Sequence, residues 1–248
     1  MEHEGVIRTK EIKFTEKYDD SNGFTCLEVH IKNNSEYFKR IEAYARRLSD
    51  AVNPGQANTS KKRDNEIIYI NNLSGQIAET TCERILKYYL GDKNVYRPES
   101  DTSKNQIDIK LINNKSIEVR SSCIRNGIEF ALFQKDKNNS EQQYVDVIGP
   151  YRNEYKNNEQ YKDYYMRALF ICDTKDFLQF ISQDTISFYI TGGATGDMMK
   201  DPKYYQSKHL SPKGGQVVIE SDYDVIPLGK SLDFPKFINI LKEEKFII

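Results

Sequence analysis

Apolar and polar positions alternate at helical spacing between Ser35 and Asp50. The apolar positions recur three and four residues apart, which indicates a helix with one buried face, and Ser35 is a residue type that favours the N-cap. Residues 53–64 show no periodicity and include the basic run Lys61-Lys62-Arg63. They predict an exposed loop that is either a solvated connector or a contact for phosphates.

A second helix is predicted from Leu73 to Leu90, where apolar positions again recur at helical spacing. Asn72 or Ser74 would cap its start, and Gly91 would close its end in the left-handed conformation. Glu79 lies at the edge of the apolar stripe on a helical wheel. It is therefore the acidic residue of this helix that we expect to lean inward.

From Val95 onward the pattern changes to that of β-strands, rich in β-branched and aromatic residues and bounded by turn formers. Helices interrupt or follow this pattern at Thr174–Ser182 and Phe234–Lys245. The order of elements predicts an α/β fold with a helical N-terminal elaboration. The predicted strands are residues 95–97, 107–112, 116–122, 128–134, 144–148, 168–172, 186–191 and 216–220.

Composition narrows the class of protein. Hydrophobic residues make up 38% and charged residues 29% of the 248 residues, which excludes a wholly disordered chain. The net charge is -1, from 36 basic and 37 acidic residues, so no global positive field indicates a histone-like role. No run reaches the roughly 18 apolar residues of a membrane span, and no two cysteines form a Cys-x-x-Cys pair. We expect a soluble, cytoplasmic protein with reduced thiols and no membrane partner.

The residues with the clearest chemical potential lie in a predicted hairpin. Side chains two positions apart share a face of a strand, so Asp108 and Lys110 lie together on the first strand, and Glu118 and Arg120 lie together on the second. A three-residue loop over 113–115 would bring these charged faces together.

The sequence allows two registers of the hairpin. The three-residue loop pairs Asp108 with Arg120 and Lys110 with Glu118, so the charges converge. A two-residue loop of Asn113 and Asn114 instead pairs Asp108 with Val119 and separates them, unless a bulge restores the phase.

Two carboxylates on one face beside a cation suit a hard divalent ion, because Mg²⁺ takes oxygen ligands and keeps several waters. Such an ion orients a phosphodiester and lowers the pKa of an attacking water. Glu79 is a candidate third acid. Arg120 stays protonated and offers a planar fork, so it suits a phosphate clamp and is a poor general base. The bland alternative is a solvated ladder of ion pairs on the sheet surface.

The helix with an acid, then Asp108, then Glu118-Val119-Arg120 resembles the PD-(D/E)XK nuclease superfamily, and in particular bacterial type II restriction endonucleases. The resemblance covers about Leu73 to Cys123. It implies a restriction-endonuclease-like core, with a central mixed sheet flanked by helices, and Asp108 and Glu118 as Mg²⁺ ligands. It also implies Glu79 as an accessory acid. Ile107 stands where the family often has Pro, and Arg120 stands where it usually has Lys.

On this basis we expect one nuclease-like domain over residues 1–248. Residues 1–70 would form the N-terminal helical and basic-loop elaboration, residues 71–190 the catalytic core, and residues 191–248 a C-terminal loop, strand and helix. The expected activity is that of a sequence-specific DNA endonuclease of a restriction system, dependent on Mg²⁺ with Mn²⁺ as a substitute. It would act on double-stranded DNA as a homodimer. The alternatives are a catalytically inactive DNA-binding or complex-forming module, and an RNA- or structure-directed nuclease.

Several residues outside the motif are candidates for DNA contacts. Ser122 and Arg125 directly follow the motif, and Lys208 and His209 lie in a Lys-rich stretch near the C-terminus. The glycine-rich segment 190–197 lacks the order of a phosphate-binding loop. It is either a second DNA-facing loop or a flexible surface loop.

Overall fold

The computed structural model describes residues 4–6, 12–19, 23–51, 65–98, 107–126, 145–152, 159–212 and 221–245. This part of the chain is an α/β structure in which a mixed sheet is flanked by helices. The helices are α1 (Glu36–Ala51), α2 (Asn65–Leu90), α3 (Phe177–Ile181) and α4 (Phe234–Lys245). None of the described helices combines the length and apolar character that a membrane crossing requires.

The strands join in the order β1-β2-β3-β9-β8-β6-β10-β11-β7, and the short strands β4 and β5 extend from β6. β6 and β8 run parallel, whereas the other pairs are antiparallel. The strands are β1 (Glu4–Val6), β2 (Ile12–Asp19), β3 (Phe24–Lys32), β4 (Val95–Tyr96), β5 (Ile109–Leu111), β6 (Ser116–Asn126), β7 (Val145–Arg152), β8 (Tyr164–Asp173), β9 (Thr185–Thr195), β10 (Gln206–Pro212) and β11 (Ser221–Pro227).

Alternate side chains of β8 enter two different cores, as expected for a strand that is covered on both faces. Tyr164 and Met166 join the large core that α1, α2 and α4 cover. Tyr165 joins a smaller cluster on the opposite face, with residues of β7, β9 and β11. The sheet therefore has a helix-covered face and a second face that the β7 and β11 strands partly cover.

The helix predictions are confirmed at several ends. The Phe38 N–H donates to Ser35 Oγ at 3.1 Å, so Ser35 caps α1 as expected. Gly91 follows α2 with a φ of 93°, and its N–H donates to the Lys87 carbonyl at 2.8 Å. The predicted bounds of the last helix, Phe234–Lys245, are those of α4. The predicted helix over Thr174–Ser182 is a short 3-10 turn followed by α3.

The predicted start of the second helix is wrong. α2 begins at Asn65, so neither Asn72 nor Ser74 is its cap. Ile68 and Ile70 are buried at 2% and 4% exposure and extend the packed face of the helix by two turns. Inside the helix, Asn72 Nδ2 donates to Ser49 Oγ at 3.0 Å, which ties α2 to α1.

The expected helical character of residues 1–70 is wrong for its first part. β2 and β3 form an antiparallel hairpin, and β3 continues the sheet by pairing with β9. The physical reason is a period of two, in which Ile12 and Phe14, and Val29 and Ile31, all turn toward the core. The predicted strands 128–134 and 216–220 lie outside the described residues.

The glycine-rich segment is a buried part of β9 and not a surface or DNA-facing loop. The backbone N–H and C=O of Gly193 both pair with Leu232, at 2.9 Å each. A Cβ at Gly193 would lie 1.9 Å from the Tyr165 carbonyl oxygen. The glycines here allow close approach of backbone to backbone, and the phosphate contact considered from the sequence is not their role.

Candidate functional site

The turn between β5 and β6 sets which charged residues face each other. Leu111 and Lys115 bracket the loop, with the Leu111 N–H donating to the Lys115 carbonyl at 2.9 Å. Asn114 takes the left-handed conformation with a φ of 65°. The hairpin therefore has a three-residue loop over 112–114, in which a left-handed residue follows a tight turn.

Both predicted registers are wrong. Ile109 pairs with Ile117, and Lys110 pairs with Ser116. The loop begins earlier than expected because Asn, which tolerates positive φ, occupies the left-handed position at 114. Continued by one residue, this register sets Asp108 opposite Glu118. The prediction that the two carboxylates converge still holds, and it holds without the expected Asp108–Arg120 pairing.

Asp108 lies directly before β5 and extends the hydrogen bonding along that edge of β6 by one side chain. Its Oδ2 accepts a hydrogen bond from the Val119 N–H at 2.8 Å, and the side chain is buried. A carboxylate thus takes the place of a strand carbonyl. On this edge of β6, within the part that the structure describes, β5 pairs as far as Ile117 and β10 pairs again from Arg125.

Arg120 lies between two acids. Its Nη2 is 3.2 Å from Glu118 Oε1 and 2.9 Å from Glu159 Oε1. All three side chains are largely shielded, with exposures of 13%, 13% and 15% for Arg120, Glu118 and Glu159. The Arg120 carbonyl accepts a hydrogen bond from Arg167 Nη1 at 3.2 Å, so the backbone beneath the guanidinium is also held.

Glu79 leans inward from α2, as its place on the helical wheel predicts. It is 8% exposed. Gln76 Nε2 donates to its Oε2 at 2.8 Å, and Arg97 forms an ion pair with the same oxygen. Arg97 Nη1 also donates to Thr80 Oγ1 at 3.2 Å. One carboxylate oxygen is thus fixed by α2 and by the chain that follows β4.

The three acids Asp108, Glu118 and Glu79 interact electrostatically. Burial holds the pKa of Asp108 well above its ordinary 3.8, and the negative charges of Glu118 and Glu79 raise it further. The hydrogen bond from the Val119 N–H and the charge of Arg120 oppose this rise. The pKa of Glu79 is raised from 4.5 to about 7, because burial and the charge of Glu118 together outweigh the lowering effects of Arg97 and Gln76.

We expect the free energy of unfolding to fall between about pH 4.5 and 7, in the absence of divalent cations, through the titration of Glu79. The folded state binds the Glu79 proton more tightly than the unfolded chain does, so raising the pH through this window removes stability. The shift corresponds to roughly 3 kcal/mol. In Glu79→Gln the part of this decline that Glu79 contributes should vanish and the part that the raised pKa of Asp108 contributes should remain, as measured by urea unfolding in EDTA at several pH values.

Glu83→Gln is the matched control, because Glu83 lies one turn further along α2 and pairs with Lys87 at 2.6 Å. It removes a carboxylate from the same helix without touching the three acids. Parallel pH profiles for the wild type and Glu79→Gln would show that burial of Glu79 does not carry this effect.

The donor set suits a hard cation such as Mg²⁺. Within the described ranges, no group of three or more His, Cys, Asp and Glu side chains is arranged to hold a metal ion. Mg²⁺ is commonly bound through one or two carboxylates and several waters, and Asp108 and Glu118 are the two carboxylates of this site that could hold it. Because burial and the charges of Glu118 and Glu79 raise the pKa of Asp108, its environment favours a neutral group or a compensating positive charge.

The other predicted site residues have different outcomes. Ser122 is 4% exposed, and in the described part of the chain its buried hydroxyl has no hydrogen-bond partner, which does not favour a DNA contact. The backbone of Arg125 lies in β6, and the backbones of Lys208 and His209 lie in β10. Their side chains lie outside the described part, as does the whole run Lys61-Lys62-Arg63.

Glu159 and Arg97 belong to the site and were not predicted from the sequence. Glu159 is 39 residues from Arg120 along the chain and belongs to no motif, so only the fold brings it to the site. Arg97 stood in a predicted strand and was not considered as a partner for Glu79. A buried acid generally needs a cation. That requirement is the one signal in the sequence that indicated a basic partner for Glu79, the role that Arg97 fills.

No protein-family model, no curated protein and no solved structure matches this chain with significance.

Proposed function

We propose that this chain is a Mg²⁺-dependent, sequence-specific endonuclease that hydrolyses phosphodiester bonds in duplex DNA, on a restriction-endonuclease-like core. The observation that carries the proposal is the convergence of Asp108 and Glu118 beside Arg120, with Glu79 close enough to interact with both acids. The order of helix, hairpin and following strands supports it as an analogy of architecture.

The electrostatics of the acids support a function over a structural role. The charges of Glu118 and Glu79 raise the pKa of the buried Asp108, which destabilises the fold, and such clusters of acids are common at catalytic and metal sites. Asp108 carries this cost most clearly, since burial and two neighbouring carboxylates all disfavour its charge. A divalent cation between the acids would remove the repulsion.

Each residue then has a distinct task. Asp108 and Glu118 would hold the ion, which supplies a water of lowered pKa and charge stabilisation for the phosphate. Glu79, on α2, would add a third negative charge near the ion and so help to stabilise it. Arg120 binds a phosphate oxygen through its planar fork and does not accept a proton. Substrate of two-fold symmetry favours a homodimer, and such an enzyme would meet DNA in the cytoplasm.

A second candidate has its own observation. Arg120 already contacts Glu118, and Arg97 already contacts Glu79, so two of the three acids have a cation from the chain itself. This arrangement favours a catalytically inactive module on the same fold that binds DNA or a protein complex. It predicts DNA affinity that depends on salt concentration and is indifferent to Mg²⁺.

The test is incubation of the purified chain with unmethylated duplex DNA in Mg²⁺ or Mn²⁺, with EDTA as a control and products resolved by size. Discrete fragments that depend on the metal would support the endonuclease. Parallel incubations with single-stranded DNA and RNA identify a nuclease of different substrate. DNA binding without cleavage in either metal would favour the inactive DNA-binding module. Neither DNA binding nor cleavage would overturn both the endonuclease and the DNA-binding module, and would leave only the complex-forming form of the second candidate.

A further inference from the structure

Glu159 contacts the candidate site from a distant part of the chain. Its Oε1 lies 2.9 Å from Arg120 Nη2, slightly closer than Glu118 Oε1 at 3.2 Å. The same guanidinium nitrogen thus serves two carboxylates. Arg120 is the residue in which the motif departs from the usual Lys, so its partners determine what this unusual cation does.

The segment that carries Glu159 is fastened to the start of β6. Asp163 Oδ2 accepts hydrogen bonds from both the N–H and the hydroxyl of Ser116, at 2.8 Å each. Lys115 Nζ lies 3.0 Å from the other oxygen of Asp163. The Lys162 N–H donates to the Tyr165 hydroxyl at 3.0 Å. These bonds hold residues 162–165 beside the hairpin. Glu159 lies just before this segment in the chain, so the bonds also keep Glu159 near Arg120.

The charge balance at Arg120 explains why a second acid matters. A guanidinium paired with Glu118 alone would neutralise one of the two carboxylates that a divalent cation needs. With Glu159 accepting from the same Nη2, the positive charge is divided between two acids. Glu118 then keeps part of its negative charge available, and the group of three retains a net charge of about -1.

We propose that Glu159 is a positioning residue that draws Arg120 partly away from Glu118 and thereby sets the affinity of the site for a divalent cation. This inference rests on the proposed metal-dependent function. Glu159 acts through Arg120 and touches neither the ion nor the DNA. Removal of its charge should let Arg120 shift onto Glu118 and compete with the cation there.

The test measures Mn²⁺ binding by calorimetry, without DNA and without any measurement of cleavage. We expect Glu159→Gln to weaken Mn²⁺ binding by about tenfold, the size of effect seen when a residue behind a ligand is lost. Glu159→Asp, which keeps the charge, should recover part of the affinity. Glu83→Gln, which removes a carboxylate of α2 that pairs with Lys87 and does not contact Arg120, should bind like the wild type.

A double-mutant cycle separates action through Arg120 from a general loss of negative charge. In an Arg120→Gln background, Glu159→Gln should change Mn²⁺ affinity by less than about twofold. A loss that persists in this background, or wild-type affinity in Glu159→Gln alone, would overturn the positioning role while leaving the endonuclease intact. A wild-type chain that binds no Mn²⁺ would overturn the positioning role and the metal-dependent function together.

Discussion

Glu118→Ala is expected to lower metal-dependent cleavage of duplex DNA by about 100-fold or more. A metal ligand contributes several kcal/mol of charge stabilisation, and each factor of ten in rate corresponds to about 1.4 kcal/mol. The fold should survive, because Arg120 keeps its contact with Glu159 at 2.9 Å after Glu118 is gone. The measurement is the initial rate of fragment formation at saturating Mg²⁺.

Two variants make this result interpretable. Glu83→Ala removes a Glu whose charge is paired with Lys87 at 2.6 Å, and its rate should lie within about twofold of the wild type. Glu118→Gln keeps the shape of the side chain and loses only its charge, so its rate should be as low as that of Glu118→Ala. Full activity in either Glu118 variant is incompatible with a metal ligand at this position.

The helices and the general class of fold were accessible from the sequence because a 3.6-residue period and local capping chemistry are short-range signals. Ser35 and Gly91 act at their own helix ends. The start of α2 was missed because its first residues, NEIIYINN, carry their apolar side chains in one unbroken run, which shows no helical period. In that segment the burial of Ile68 and Ile70 in the core stabilises the helical conformation.

The site could be predicted only in part from the sequence, for a different reason. Side-chain alternation along a strand is local. The predicted three-residue register and the observed register differ by two residues, so both place Asp108 and Glu118 on the same face of the hairpin. The register itself depended on Asn114 adopting positive φ, a choice that both Asn113 and Asn114 permit by residue type. Glu159 lies beyond any such pattern, because its contact with Arg120 exists only through the pairing of β6 with β8.

Asp108→Asn is expected to have opposite effects on stability and activity. The variant should raise the free energy of unfolding at about pH 8 in EDTA, because the charge that burial, Glu118 and Glu79 disfavour is removed. The Asn oxygen can still accept the Val119 N–H that now donates to Asp108 at 2.8 Å. Cleavage should fall by about 100-fold or more, since an amide is a weaker ligand for a hard cation.

Asp108→Ala separates the two roles of the carboxylate. It removes the charge as Asp108→Asn does, but it also leaves the buried N–H of Val119 without its acceptor, which costs about 1 to 3 kcal/mol. Urea unfolding should therefore rank Asp108→Asn above both the wild type and Asp108→Ala, while both variants lose cleavage. Equal destabilisation by both substitutions would mean that the Asp108 charge stabilises the fold, which is incompatible with a site that keeps its acids together for a cation at the expense of stability.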